Sequence, residues 1–406
     1  MTREIQGMES VVVPRNICVV TGSRAEYGLF TPVMRAIISN PLFNLQLSVT
    51  GTHLSSRHGN TEHFILRDGF RIDARVDIGL ENVNTGADAA KATGRGISGF
   101  ADAFRSLAPD LVLILGDRYE ILAAATATLL MGIPLAHIAG GDLTEGAFDD
   151  SIRHCLTKMA HLHFATCKTA ARRLVQLGEN PDRIIISGSP GIDVIRSTRL
   201  LPRNEAEARL GFALRHHNLL ITFHPVTRGT IPGLKQFDEL LSALSSLGAD
   251  IGLVFTAPNA DPGASEMRDH LHHFIASHPN ACFHESLGQE LYLSTLAQCD
   301  AVVGNSSSGI YEAPSLKKPT VDIGDRQAGR EKAASVISCE PYSGPIVKAI
   351  HQAFALDCSM IASPYGDGHA ADRIASHLAT ITDFSSLLHK RFVDVKFAQS
   401  QENLDE

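Results

Sequence analysis

Short runs of aliphatic and β-branched residues alternate along this chain with longer stretches in which apolar positions recur every three or four residues. A brief, unbroken apolar run predicts a strand covered on both faces, and an i, i+3, i+4 recurrence predicts an amphipathic helix. In the first half the strands so predicted are 16–21, 45–50, 111–115, 134–138 and 184–187, with helices over 28–39, 121–131, 149–160 and 169–177. A second series begins after Pro202, with strands over 219–223, 251–256, 281–284, 301–303 and 320–323 and helices over 235–247, 291–298 and 310–316. Strand–helix alternation twice over predicts an α/β chain of two doubly wound, Rossmann-like domains with parallel sheets. The division is expected within 196–204, giving domains 1–198 and 199–370; residues 371–406 are expected to form a helix returning to the first domain and a frayed polar tail. Ligands of such sheets bind outside the carboxyl ends of the strands, so an active-site cleft is expected between the domains.

Composition alters this picture little. A chain of 406 residues exceeds what one core usually covers, and 44% apolar with 20% charged residues is ordinary for a globular protein. A formal net charge of −8 argues against a nucleic-acid partner but leaves room for a local basic pocket holding a small anion. Seven cysteines without a CxxC form neither a disulfide framework nor a zinc site, and reduced thiols in a cytoplasmic protein are the expectation. The first ten residues lack the apolar run of a signal peptide. Residues 121–141 have no Asp, Glu, Lys or Arg and are long enough to mimic a membrane span, yet Gly132 and Pro134 split them. A buried helix followed by a buried strand is the expectation, with no membrane partner.

Several local signals lead nowhere. Gly94-Arg95-Gly96-Ile97-Ser98-Gly99 matches the GxGxxG string, but residues 88–93 read as helix or loop, whereas a dinucleotide site needs a strand leading into the turn. There is no GxxxxGK[ST] for a P-loop and no GxSxG nucleophile elbow. The close histidine sets, His161/His163, His216/His217 and His272/His273, have spacings that do not put two ligands on one helix face. No metal and no cofactor is expected.

The informative polar residues follow strands. After the first strand comes Thr21-Gly22-Ser23-Arg24, where backbone N–H groups at a helix start and the Arg24 guanidinium would suit an anion; a tight turn with a capping serine is the alternative. The most apolar strand runs into Gly116-Asp117-Arg118-Tyr119-Glu120, placing a carboxylate and a guanidinium at a strand end, either for chemistry or as a structural ion pair. Next, Ala139-Gly140-Gly141-Asp142-Leu143-Thr144-Glu145 is a glycine-rich loop leading to Asp149 and Asp150, which would either cap a helix or converge with Asp117 for acid/base work. In the second half, His224-Pro225-Val226-Thr227 ends one strand, and Asn305-Ser306-Ser307-Ser308-Gly309 ends another and opens a helix, a pattern suited to a diphosphate as well as to ordinary N-capping. Glu312, one turn further on, would reach a ribose hydroxyl.

Taken in order, TGSRAEYG (21–28), GTHLSSRHGNT (51–61), GDRYE (116–120), the GGD loop with DDSIRH (149–154), HPVT (224–227), GNSSSGIYEAP (304–314), GDRQAGR (324–330) and PYGDGHA (364–370) resemble the hydrolysing UDP-N-acetylglucosamine 2-epimerases of sialic-acid and related nonulosonate synthesis. The resemblance covers nearly the whole chain, and the Arg-Ala-Glu-Tyr of the first loop favours the hydrolysing branch. It implies two Rossmann-like domains of the glycosyltransferase-B type. It implies elimination of UDP to a glycal, then water addition, giving the free 2-epimeric sugar (N-acetylmannosamine from UDP-N-acetylglucosamine). By the resemblance Asp117 and Asp149 match catalytic carboxylates, with Arg118 beside the former. His224, Ser306 and Ser307 match residues on the UDP phosphates, and Arg24, Asn259, Glu312 and Arg326 match other nucleotide or sugar contacts. The expected partner is a UDP-amino sugar, and a homo-oligomer is expected.

One place departs from the family. A catalytic Glu stands two residues after the family's counterpart of His137, and here that position is Ala139. The loop that follows is one residue longer, so Glu145, or after it Asp142, is expected to supply the missing carboxylate. Alternatively the substrate is UDP-2,4-diacetamido-2,4,6-trideoxyglucose of legionaminic-acid synthesis. A glycosyltransferase, a non-catalytic nucleotide-sugar binding protein and, last, an NAD oxidoreductase are the rival readings.

Overall fold

The computed structural model describes residues 13–143, 148–226, 231–258 and 263–395. They divide into two compact units, one drawn from Met1–Pro190 and His369–Glu406 and the other from Gly191–Gly368.

In the first unit the strands are β1 (Arg15–Thr21), β2 (Phe43–Thr50), β3 (Ala74–Val76), β4 (Leu111–Leu115), β5 (Leu135–Ile138), β6 (Leu162–Ala165) and β7 (Ile184–Ile186). They form one sheet in the order β3-β2-β1-β4-β5-β6-β7, with every neighbouring pair parallel. The unbroken apolar runs are explained by two cores: in β1, Ile17 and Val19 join one face while Cys18 and Val20 join the other. The first face is covered by helices Arg24–Ile38 and Ala370–Thr380, through Phe30, Met34, Ile374 and Leu378. The second is covered by helices Gly86–Leu107 and Tyr119–Leu130, through Phe100, Phe104, Ile121 and Ala124.

The helix Gly86–Leu107 escaped the periodicity argument because Gly94, Gly96 and Gly99 lower its apparent propensity by about 1 kcal/mol each. Those glycines serve packing: a Cβ on Gly96 would stand 2.8 Å from Ala123 Cβ, and one on Gly99 2.7 Å from Val76 Cγ1. The GxGxxG string is therefore a mid-helix seam with no strand leading into it. The helix starts on a capping box, with Thr85 Oγ1 accepting from Asp88 N and Asp88 Oδ2 from Thr85 N. The uncharged stretch 121–141 divides between helix Tyr119–Leu130 and β5. Among the described residues no helix is long and apolar enough to cross a membrane.

The second unit repeats the plan with β8 (His217–Thr222), β9 (Ile251–Thr256), β10 (Ala281–His284), β11 (Ala301–Gly304), β12 (Thr320–Ile323) and β13 (Val336–Cys339). Their order is β10-β9-β8-β11-β12-β13, again parallel throughout. In both sheets the strand order reverses beside the unit's first strand, between β1 and β4 and between β8 and β11. Crevices outside the carboxyl ends at such points are where open α/β sheets bind ligands.

The chain's final part packs on the first unit: Ile374, Leu378, Phe384 and Leu387 join its core. Lys390 Nζ donates to the carbonyls of Thr157, Lys158 and Ala160, closing the C-terminal end of helix Phe148–Met159.

Candidate active site

At the first switch point β4 ends in Gly116, whose φ of 84° lies in the left-handed region that favours glycine. The turn it makes delivers Asp117 and Arg118 to the carboxyl edge. The buried His137 on β5 steadies the turn, its Nε2 donating to Gly116 O at 2.8 Å. Burial holds that imidazole neutral, its pKa down at about 3.

Asp117 is paired with Arg153, which projects from helix Phe148–Met159; their side chains are 17% and 9% exposed. The same guanidinium donates to Asp142 O at 2.8 Å and stands 3.8 Å from Asp150 Oδ1. Burial pushes the Asp117 carboxyl above its ordinary range; Arg153 opposes this, and the neighbouring charge of Asp149 adds to it. Asp117 and Asp149, from two different elements, are thus brought within electrostatic reach of each other. Arg118 turns the other way and bonds Glu120 Oε1 through Nε at 2.5 Å.

Arg24 is exposed in the first turn of its helix and stacks over the Phe64 ring at 4.2 Å. Ser23 caps that helix, accepting from Glu26 N at 3.3 Å. Ala139 follows β5 with φ 66°, and Asp142 Oδ1 accepts from Thr166 Oγ1 at 2.7 Å, which ties that carboxylate to the turn between β6 and helix Lys168–Gln176. Glu145 lies outside the described residues.

At the second switch point the residue after the glycine is an uncharged amide, Asn305, where the first has Asp117. Gly304 has φ 141°, and a Cβ there would fall 1.9 Å from Thr222 O, so only glycine lets β11 leave the sheet beside β8. Asn305, fully buried, then clamps the two strand ends: its Oδ1 accepts from His224 N at 2.7 Å and its Nδ2 donates to His224 O at 2.9 Å. Its carbonyl accepts from Arg326 Nη1 at 3.2 Å and Gln327 Nε2 at 2.8 Å. Ser306 Oγ accepts from Ser308 N at 3.4 Å, and Ser307 stands at the N-cap of helix Ser308–Ser315 without a side-chain capping bond. The Ser306 and Ser307 hydroxyls thus stand at this helix start, while the N–H groups of Ser308, Gly309 and Ile310 bond back to Ser306 and Ser307. Tyr292 Oη donates to Ser308 Oγ at 2.5 Å. Glu312, one turn along, has its pKa raised by burial against opposing bonds from its own N–H and Ser308, and its Oε2 is buried without a hydrogen-bond partner. Asn259 lies outside the described residues.

The structure thus groups Asp117, Arg118 and Asp149 in the first unit and His224, Ser306, Ser307, Glu312 and Arg326 in the second. Sequence reasoning passed over Arg153, Glu26, Glu120 and Asn305 as site residues, although all four lie inside strings it had singled out. Among the described residues no group of three or more His, Cys, Asp or Glu is placed to hold a metal ion.

Comparison with known proteins bears on what such an arrangement does. Residues 35–379 match the family model described as UDP-N-acetylglucosamine 2-epimerase. The chain is 36% identical over 385 residues to the GDP/UDP-N,N'-diacetylbacillosamine 2-epimerase (hydrolyzing) of Campylobacter jejuni, covering 94% of this chain and 99% of that protein. It is 34% identical over 376 residues to the UDP-N,N'-diacetylbacillosamine 2-epimerase (hydrolyzing) of Legionella pneumophila, covering 93% and 98%. Among solved structures, UDP-GlcNAc 2-epimerase from Neisseria meningitidis bound to UDP-GlcNAc aligns with a TM-score of 0.73 at 20% identity, over 90% of this chain and 100% of that one, a likeness of fold.

Proposed function

Because the chain belongs to the UDP-N-acetylglucosamine 2-epimerase family, we propose that it is a hydrolysing 2-epimerase whose substrate is UDP-2,4-diacetamido-2,4,6-trideoxyglucose. The products are UDP and the free sugar inverted at C2. The C2 hydrogen has no adjacent carbonyl and is not acidic, so departure of the diphosphate must first build positive charge at C1. In the elimination the C1–O bond to UDP breaks and a carboxylate takes the C2 proton. Water then adds its hydroxyl to C1 while a carboxylic acid returns a proton to C2.

We assign Asp117 and Asp149 to these proton transfers. Arg118 and Arg24 offset charge on the leaving group; His224, Ser306, Ser307 and Arg326 hold the diphosphate, and Glu312 a ribose hydroxyl. The observation that carries the reading is the pairing of chemistries at the two switch points: carboxylates set among guanidiniums in one unit, and a helix N-terminus lined with hydroxyls in the other.

Two features favour the diacetamido sugar over UDP-N-acetylglucosamine. Both relatives compared in sequence are named for N,N'-diacetylbacillosamine, which is 2,4-diacetamido-2,4,6-trideoxyglucose. Ala139, at φ 66°, carries only a methyl group where the family resemblance places a glutamate, a change we read as accommodating a second acetamido substituent. Incubation with each UDP-sugar in D2O, followed by proton NMR, tests the proposal. Release of UDP without an acceptor, deuterium at C2 and at least about tenfold preference for the diacetamido substrate are expected, a discrimination within reach of one well-placed pocket change. Turnover of UDP-N-acetylglucosamine alone would refute the specificity, and no turnover of either sugar would refute the activity.

A further inference from the structure

Two carboxyl groups at the Asp117–Arg118 turn have no part in the proton transfers assigned above. Glu26 stands in the first turn of helix Arg24–Ile38 and Glu120 in the first turn of helix Tyr119–Leu130, and both are buried. Both press on one residue: Gly22 N donates to Glu26 Oε2 at 2.8 Å, while a Cβ on Gly22 would stand 2.7 Å from Glu120 Cγ. Gly51 lies against the same group, where a Cβ would stand 3.1 Å from Glu120 Oε1. Each carboxyl has one oxygen accounted for, Glu26 Oε2 by Gly22 and Glu120 Oε1 by Arg118. The other oxygen of each, Glu26 Oε1 and Glu120 Oε2, is buried with no hydrogen-bond partner.

We propose that Glu26 is a positioning residue of this site, a neutral acid that donates its Oε1–H to Glu120 Oε2 and so fixes the side chain that holds Arg118. A single proton then satisfies both orphaned oxygens. It also leaves one carboxylate facing one guanidinium, where two ionised carboxylates would bury an uncompensated charge. Burial, followed by the charge of Glu120, pushes the Glu26 pKa up to about 8, against the Gly22 N–H and Arg118 and with a further push from Asp117. Besides Asp117, Arg118 and the exposed Arg24, these strand ends carry His53, which bonds Thr21 Oγ1 and Thr61 Oγ1 at 3.1 and 2.8 Å and is kept neutral by burial, its pKa down at about 4. Arg118, 42% exposed, thereby keeps its terminal nitrogens for a ligand while its Nε is tied down.

The inference rests on the activity proposed above, and its test separates the two. In Glu26→Gln the amide oxygen takes the Gly22 N–H and the NH2 group replaces the acid proton, so the bonds remain and the titration goes. With 13Cδ-labelled glutamate, a carboxyl resonance titrating near the pH of about 8 set for Glu26 is expected in the wild type and absent from Glu26→Gln. Wild-type kcat is expected to fall as pH rises through that range, because ionised Glu26 repels Glu120 and frees Arg118, while Glu26→Gln stays flat. Glu26→Leu, which can donate nothing, is expected to lose about tenfold in kcat with KM little changed. If wild type and Glu26→Gln decline together, or no glutamate titrates between about pH 7 and 9, the proposal is overturned. A wild type that shows the titration but turns over neither UDP-sugar overturns the proposed function and leaves the carboxyl pair standing.

Discussion

At the switch point of the first sheet Gly116 is followed by Asp117 and Arg118; at that of the second, Gly304 is followed by Asn305 and Ser306. The strand order around the two points is the same, and so is the use of a positive-φ glycine to leave the sheet. The side chains differ in kind. The first unit buries ionisable groups and must compensate each of them, which is why Arg153 is committed to Asp117 and Arg118 to Glu120. In the second unit a neutral amide, Asn305, ties the end of its own strand to His224, with Arg326 on its carbonyl and the buried Glu312 one turn along. Removing a group from the first unit should therefore disturb chemistry and charge balance together, and removing one from the second should disturb binding.

The sharpest test of that contrast is Asp117→Asn. It is expected to lower kcat by roughly 100- to 10,000-fold while UDP affinity, measured by calorimetry, stays near wild type. A mutant of near wild-type rate would remove Asp117 from the chemistry. His224→Ala is the counterpart on the other side, expected to weaken UDP binding by about 1.5–3 kcal/mol, or roughly 10- to 150-fold. Unchanged UDP affinity would break the comparison at its second term.

Arg153→Met probes compensation itself. Arg153 opposes the rise that burial imposes on Asp117, so its loss lifts the Asp117 pKa further and the ionised base appears only at higher pH. The acid limb of the kcat/KM profile should move to higher pH, with modest loss of rate above it; an unmoved limb would show that Arg153 does not set that charge.

The smallest effect is expected from Lys390→Met, measured by thermal melting. A cation closing a helix C-terminus is worth about 0.3–2 kcal/mol. Lys390 is also one of the groups, after His163 and Lys158, that hold Glu179 at a pKa of about 2 against burial. A carboxyl depressed on folding contributes stability above its ordinary value of 4.5 that is lost as pH falls towards 2. The wild type should lose melting temperature across that window more steeply than Lys390→Met, and parallel curves would count against the linkage.

What the sequence made legible follows from which interactions are local. Strands buried on both faces announce themselves as unbroken apolar runs, and a polar residue placed shortly after such a run emerges at the sheet's carboxyl edge; that logic singled out Asp117, His224 and Ser306, which stand just past β4, β8 and β11. Strands β3, β6 and β13 were missed because a polar residue, Arg75, His163 or Ser338, interrupts each apolar run. The Asp117–Arg153 pair joins residues 36 apart, and Glu26 and Glu120 lie against Gly22 from two different helices. No spacing rule reports such pairs, because they depend on how β1, β2 and β4 are ordered in the sheet.

The return of the chain's end to the first unit has a consequence for biosynthesis. Residues 191–368 form an uninterrupted segment, so their core can close while the chain is still being made. The first unit is begun earlier and finished later: its core lacks Ile374, Leu378, Phe384 and Leu387, and helix Phe148–Met159 lacks its Lys390 closure, until those residues leave the ribosome. The half that carries Asp117 and Asp149 is thus the last to be completed, and the part of its sheet face that helix Ala370–Thr380 covers stays open in the nascent chain for as long as the other half takes to synthesise.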